Sequence, residues 1–334
     1  MVPNARFTEF LKDIEPSATT KANSSTAHNN LRFSLYNHAS FGDLWVDDFL
    51  AGSYARDTAI RPRTFEGEID RADIDIIVVT NYQTSDRPED VLNDLADVLA
   101  EKYTVERINK RSVRVVTSTS EIDVVPVIAD GDSYKIADRE IDDWRKTNPK
   151  GHKAWSAEKN GADEFDGRFK PLVKLMKWWR KENPLPGKRP KGFVLEVLVA
   201  CHAPKGETHY GEAFARTLEN IYAAYKDDAA NDIKPVIQDP SVNNSDILAK
   251  VTVAQWKAFV DKCRVYAGYA RKAQDADDME EATTQWRKVF GQRFPKTASV
   301  AKAASVATTV AAPALTGFSF PDRSTAPSKP RGFG

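Results

Sequence analysis

Apolar residues along this chain follow two rhythms, and the change between them divides it. Leu44 to Ala51 reads as a strand that ends in Gly52-Ser53. Asp73-Ile74-Asp75-Ile76-Ile77-Val78-Val79-Thr80 is rich in β-branched residues and predicts a second strand. Residues 86–101 carry Val91, Leu92, Leu95, Val98 and Leu99 at helical spacing. Residues 103–108, 112–118 and 121–128 alternate as strands, and only Thr119-Ser120 separates the last two, which predicts a tight hairpin. From Glu158 onward no strand pattern is visible, and helices are predicted near 158–182, 190–203, 207–228, 245–271 and 274–290. Glu158, Asp163 and Glu164 suit the start of the first of these, where the helix dipole favours negative charge. Residues 1–25 are polar and Ser/Thr-rich, with short apolar pieces at Phe7, Phe10, Leu11 and Ile14. Ser25 or Thr26 is expected to cap a helix running to about Phe41, with Leu31, Leu35 and Tyr36 on one face.

The pattern predicts an α+β fold: a mixed sheet with helices over residues 1–150, then a helical lobe over 151–295. Residues 296–334 are Ala/Ser/Thr/Pro-rich without periodicity and are expected to form a flexible tail. The 334 residues suffice for two modest domains, and 41% hydrophobic residues is ordinary for a globular protein. No segment approaches the roughly 20 consecutive apolar residues of a membrane span. The N-terminus lacks the apolar stretch of a signal peptide. With Cys201 and Cys263 as the only cysteines, a disulfide framework is excluded and a reducing cytoplasm is the expected location. Lys plus Arg and Asp plus Glu number 48 each, a balance that suits small charged substrates better than long nucleic acid.

Side chains on a strand alternate faces, so Asp73 and Asp75 point one way while Ile74, Ile76 and Val78 point to the core. Asp123, between Ile122 and Val124, is expected on the equivalent face of its strand. Setting the two strands side by side confines three carboxylates. They would raise one another's pKa unless divalent cations relieved the repulsion. A pair of such ions about 3.5–4 Å apart serves in-line displacement at phosphorus. Gly52 allows close backbone approach to an anion, Ser53 adds a hydroxyl donor, and Arg56 and Thr58 lie one turn further on. Asp-x-Asp alone more often marks the solvent face of an amphipathic sheet. The upstream Gly-Ser and the lone acid in a second apolar strand favour chemistry instead. Lys170, Lys174, Lys177 and Lys181 form a stripe on one predicted helix, opposite Leu172, Met176 and Trp179. Lys170 and Lys181 read as its solvated part, and Trp178 and Trp179 as core.

Gly-Ser, then Asp-x-Asp, then a distal Asp resembles the signature of the polymerase β-like nucleotidyltransferases. Gly52 to Pro62, Asp73 to Val79, Phe169 to Trp179, Gly192 to Leu198 and Pro235 to Pro240 with Asn244 resemble, in order, segments of the bacterial relatives of cyclic GMP-AMP synthase and oligoadenylate synthase, the CD-NTases. The Trp144…Thr147-x-Pro149…Trp155…Lys159-Asn160 block and the Phe290-Gly291-Gln292-Arg293-Phe294-Pro295 ending most resemble clade D. The resemblance implies a polymerase β-like sheet packed on a helical C-terminal lobe. It implies Asp73, Asp75 and Asp123 as catalytic metal ligands, and two Mg2+ ions, replaceable by Mn2+. It implies Gly52, Ser53, Arg56, Thr58, Lys174 and Lys177 as nucleotide-binding. Lys177 would grip the β- and γ-phosphates. Where oligoadenylate synthases carry a polar side chain this chain has Gly192, and Lys191 is the substitute.

The activity so implied is synthesis of a cyclic di- or trinucleotide second messenger from nucleoside triphosphates, ATP among them, in bacterial anti-phage signalling. Two rivals share these residues: a nucleotidyltransferase acting on RNA or a small molecule, and an inactive nucleotide-binding scaffold. In some relatives of this family the C-terminal residue is conjugated to other proteins, and Gly334 at the end of the tail is compatible with such a partner.

Overall fold

The computed structural model describes residues 1–62, 64–65, 68–69 and 71–296. The Gly334 expectation lies outside them. The chain forms two compact units. Among the described residues, one contains Met1–Glu15, Thr58–Ile60 and Trp155–Lys296; the other contains Pro16–Asp57 and the described part of Arg61–Ala154.

The chain opens with α1 (Asn4–Ile14), a helix absent from the expected pattern. Its apolar residues Phe7, Phe10, Leu11 and Ile14 are spaced three, one and three apart, a helical stripe, and all are buried. The Ser/Thr-rich stretch after them obscures so short a signal. This segment belongs with the helical unit rather than with the sheet, contrary to a first domain spanning 1–150.

The sheet unit begins with α2 (Ala18–Tyr36), capped by Ser17, whose Oγ accepts from the Thr20 amide at 3.0 Å. Ser25 and Thr26 lie inside the helix and cap nothing; the competing cap at Ser17 is eight residues earlier. The helix ends at Asn37, a short turn α3 (Phe41–Leu44) follows, and β1 (Trp45–Ala51) leads into the one-turn helix α4 (Gly52–Ala55). After a small hairpin of β2 (Thr64–Phe65) and β3 (Glu68–Ile69) come β4 (Ala72–Thr80), α5 (Pro88–Ala100), β5 (Thr104–Ile108), β6 (Val113–Val116) and β7 (Ser120–Asp130). Two further strands, β8 (Ser133–Asp138) and β9 (Asp143–Thr147), were not expected. They extend β7 through a hairpin at Gly131, and their charged positions blur the alternation.

The sheet order is β1-β4-β7-β6-β5. β4 runs parallel to β7 and antiparallel to β1. One face carries Ile74, Ile76, Val78, Val113, Val115, Ile122 and Val124, which pack with Leu31 and Leu35 of α2 and Leu92, Leu95 and Leu99 of α5. That leaves Asp73, Asp75 and Asp123 on the opposite face by the two-residue period.

The chain passes from the sheet unit to the helical unit within α6 (Pro149–Gly161), and the helical unit continues with α7 (Phe169–Glu182), α8 (Gly192–His202) and α9 (Tyr210–Ala230). The expected helix over 158–182 is two helices. Between them Asp166 and Gly167 take positive φ of 46° and 80°, which no helix continues through. The hairpin of β10 (Gln238–Asp239) and β11 (Val242–Asp246) was also missed, being too short to show a period. α10 (Val253–Asp275) begins in a capping box of Thr252 and Gln255, and α11 (Met279–Phe290) closes the described chain. Trp178, Trp179, Trp256, Trp286, Phe214, Phe259 and Phe290 are fully buried in one core.

Phe7 ties α1 into this core. Its ring lies edge-on to Trp286 at 5.0 Å and to Phe294 at 5.3 Å between centroids. Phe7→Ala removes a fully buried ring among rigid neighbours. We expect it to cost about 3–5 kcal/mol, read as a lower denaturation midpoint of the helical unit in urea.

Candidate nucleotide and metal site

The parallel register of β4 and β7 sets Asp75 directly opposite Asp123, and Asp73 opposite Glu121. Asp75 also lies opposite Ala51 at the end of β1, immediately before Gly52. Gly52 has φ +66°, and a Cβ there would fall 1.7 Å from Asp75 Oδ2. Both the backbone conformation and the carboxylate require glycine at this position. The structure thus brings together Gly52, Asp73, Asp75 and Asp123. Ser53 follows Gly52 in α4, and the largely buried Arg56 ends that turn, its charge acting on Asp75.

Burial and the charges of Asp73 and Asp123 push the Asp75 carboxyl up to about 7, against the opposing pull of Arg56 and Arg114. Asp123 is held differently. Its Oδ1 accepts from Asn109 Nδ2 at 3.0 Å, from Ser112 Oγ at 3.1 Å and from Arg114 Nε at 3.2 Å. Arg114 Nη2 also donates to Asp123 Oδ2 and, at 3.2 Å, to Asp73 Oδ1, while Nη1 donates to Glu121 Oε2 at 2.6 Å. Hydrogen bonding to Asp123 and the surrounding carboxylates raise the Arg114 pKa still further.

The donors here are hard carboxylate oxygens, the chemistry Mg2+ prefers, and the mutual repulsion at Asp75 is what a cation would relieve. Asp73, Asp75 and Asp123 therefore fit a divalent ion by donor type and by shared face. They do not form a closed cage: among the described residues no group of three or more His, Cys, Asp or Glu side chains is drawn together as a metal site. Arg114 is bonded to two of the three carboxylates.

Thr58, Lys177 and Glu196 form a second cluster, within the helical unit. Lys177 Nζ donates to Glu196 Oε1 at 2.6 Å, to Thr58 Oγ1 at 2.9 Å and to the Thr58 carbonyl at 3.2 Å. Thr58 Oγ1 donates to Glu196 Oε1 at 2.9 Å. Thr58 and Glu196 are fully buried and Lys177 nearly so. Gly192 leaves room for the lysine: a Cβ there would lie 3.2 Å from Lys177 Cε. Lys174 stands apart, its Nζ paired with Glu15 Oε1 at 2.8 Å. Lys191 is the exposed N-cap residue of α8. Lys174 and Lys177, expected on an open phosphate-binding stripe, are thus both engaged by carboxylates.

Arg114, Asn109, Ser112, Glu121 and Glu196 were not among the expected site residues. Arg114 and Glu196 were signalled as single charges inside apolar runs, Val113-Arg114-Val115 and Leu195-Glu196-Val197. A charge so placed needs a partner. The partner's identity is a matter of register and packing.

For Asp75 the folded-state pKa lies above the usual carboxylate value of 3.8. The folded protein then holds this proton more tightly than the unfolded chain. The stability so contributed is full below about pH 4 and is lost as pH rises toward about 7. In chelator, Asp75→Asn is therefore expected to be more stable than wild type at pH 8, by up to about 4 kcal/mol. The gap should close below about pH 4 in parallel urea titrations. Glu196→Ala strands a buried ammonium and should cost about 3–5 kcal/mol at neutral pH by the same assay.

Residues 1–160 match the Second Messenger Oligonucleotide or Dinucleotide Synthetase domain. Over 338 residues the chain is 42% identical to the cyclic AMP-AMP-AMP synthase of an Acinetobacter species, covering 100% of this chain and 98% of that protein. It is 27% identical over 355 residues to the cyclic AMP-AMP-GMP synthase of Enterobacter hormaechei, covering 87% and 91% respectively. Among solved structures, Escherichia coli CdnC with ATP superposes with a TM-score of 0.69 at 19% identity, covering 88% of this chain and 99% of that one. Vibrio cholerae DncV, a cyclic AMP-GMP synthase, gives 0.60 at 15% identity and covers 88% of each. At those identities the two structures establish the fold, which is that of the polymerase β-like nucleotidyltransferases. The full-length 42% identity establishes the family: this chain is a nucleotidyltransferase of the CD-NTase family, the second-messenger oligonucleotide or dinucleotide synthetases.

Proposed function

We propose that this enzyme joins nucleoside triphosphates into a cyclic trinucleotide, with ATP as a substrate and pyrophosphate as the leaving group. The observation that carries the chemistry is the convergence of Asp73, Asp75 and Asp123 on one sheet face beside Gly52. Trinucleotide size and adenine use are supported by the full-length similarity to a cyclic AMP-AMP-AMP synthase.

Asp73, Asp75 and Asp123 would hold two Mg2+ ions, whose charge would neutralise the triphosphate and acidify the acceptor hydroxyl. Gly52 keeps the backbone clear of Asp75, so a phosphate can approach the bend. Ser53 and Arg56 supply a hydroxyl and a guanidinium to the same nucleotide. Asp123, oriented by Asn109, Ser112 and Arg114, serves the acceptor hydroxyl and takes its proton as that oxygen attacks the α-phosphorus. Thr58, Lys174, Lys177 and Lys191 are proposed as phosphate contacts on the resemblance. For Lys177 this requires exchange of Glu196 for phosphate oxygens. Among the described residues no helix is long and apolar enough to cross a membrane. A cytoplasmic role in anti-phage signalling, within clade D, completes the proposal.

Incubation with labelled ATP and Mg2+, alone and with each of GTP, CTP and UTP, tests it. ATP alone should yield a small phosphatase-resistant product of three nucleotides. A phosphatase-sensitive ladder would mean linear extension, and label appearing only on added RNA would mean an RNA-directed transferase. Asp75→Asn should lower the rate by at least about a thousandfold, since no other side chain replaces a lost metal carboxylate. Wild-type turnover in that variant rules out the assigned site.

A further inference from the structure

Arg114 lies on the face of β6 opposite its core residues, between Val113 and Val115, both fully buried. The antiparallel register places it opposite Asp123 and places Val116 opposite Glu121. Its guanidinium reaches three carboxylates on two strands: Asp123 through Nε and Nη2, Glu121 through Nη1, and Asp73 through Nη2. The three contacts are unequal. Asp123 is 13% exposed and doubly bonded to Arg114, with Asn109 and Ser112 completing its shell. Asp73 is 62% exposed, and its bond from Arg114 is 3.2 Å long. Glu121 is bonded at 2.6 Å and carries no expected metal role.

We propose that Arg114 is the built-in counter-ion of the metal face, a positioning residue that competes with divalent cations for Asp73 and Asp123 and so sets the cation concentration the site requires. The inference rests on the assignment of those acids as metal ligands. One guanidinium with five fixed donors satisfies several carboxylates that would otherwise repel. The same oxygens are what an incoming cation needs. The exposed bond from Arg114 to Asp73, longer than that to Glu121, is the first of its contacts to yield. Glu121 retains the guanidinium as Asp73 and Asp123 pass to the metal, so the arginine shifts its seat without being expelled into solvent. Glu121 therefore assists metal entry without ligating the metal, and Arg114 opposes it.

The two residues must then have opposite effects on cation affinity. Mn2+ binding to the full chain, followed by electron paramagnetic resonance of the free ion at pH 8, reads this without turnover. Arg114→Gln should bind Mn2+ roughly tenfold more tightly than wild type, because one positive charge is removed from the site. Arg114→Lys should fall between them. Glu121→Gln, which keeps the shape of the side chain, should bind roughly threefold more weakly, because Arg114 then depends on Asp73 and Asp123 alone. Arg114→Gln with unchanged or weaker Mn2+ affinity overturns the proposal. If Arg114→Gln does not fold, Glu121→Gln with unchanged or tighter affinity overturns it equally. The underlying metal assignment is tested separately by Asp75→Asn, which should abolish Mn2+ binding. Binding that survives in Asp75→Asn defeats that assignment, whichever way Arg114 and Glu121 behave.

Discussion

Confinement of like charge on one sheet face is the constraint around which the sheet unit is arranged. β4 and β7 run parallel with Asp75 opposite Asp123, a placement that repulsion opposes at every pH where both acids ionise. The hydrophobic effect enforces it. Ile74, Ile76, Ile122 and Val124 alternate with the acids and are fully buried beneath α2 and α5. Sliding either strand by one residue would exchange the two faces and bury the carboxylates. Core packing therefore holds the acids together against their own electrostatics; the raised pKa of Asp75 comes first from burial and then from the charges of Asp73 and Asp123.

The neighbouring residues follow from that confinement. Glycine at position 52 leaves the Asp75 carboxylate its place opposite the end of β1. Arg56 and Arg114 bring positive charge to the same face, Arg114 by bridging strands through its fork of donors. In the proposed metal site cations would relieve this repulsion, and the arginine adjusts how readily they enter.

The helical unit shows a related economy on a different foundation. A dense aromatic core, which reaches back to Phe7 and Phe10 near the N-terminus, fixes α7 and α8. Lys177 and Glu196 are paired within it, with Thr58 satisfying both. Buried ion pairs contribute little net stability compared with apolar residues, but breaking one is expensive. In the proposed reaction the lysine exchanges this carboxylate for a phosphate.

Much of this was legible along the chain because it is written in local periods. Two-residue alternation at 73–80 and 121–128 placed three acids on one face, and helical spacing after residue 158 placed most of the helices. Short or interrupted signals failed: α1, the β8–β9 and β10–β11 hairpins, and the break at Asp166-Gly167. The amino-acid sequence by itself determined which faces are apolar, where glycine is required, and that acids and lysines recur at chemically useful spacing. Only the tertiary structure decided that Arg114 stands opposite Asp123, that Glu196 takes Lys177, that Glu15 takes Lys174, and that the first helix joins the helical unit. Those pairings join residues far apart along the chain, and strand register and packing, which no local pattern encodes, choose the partners.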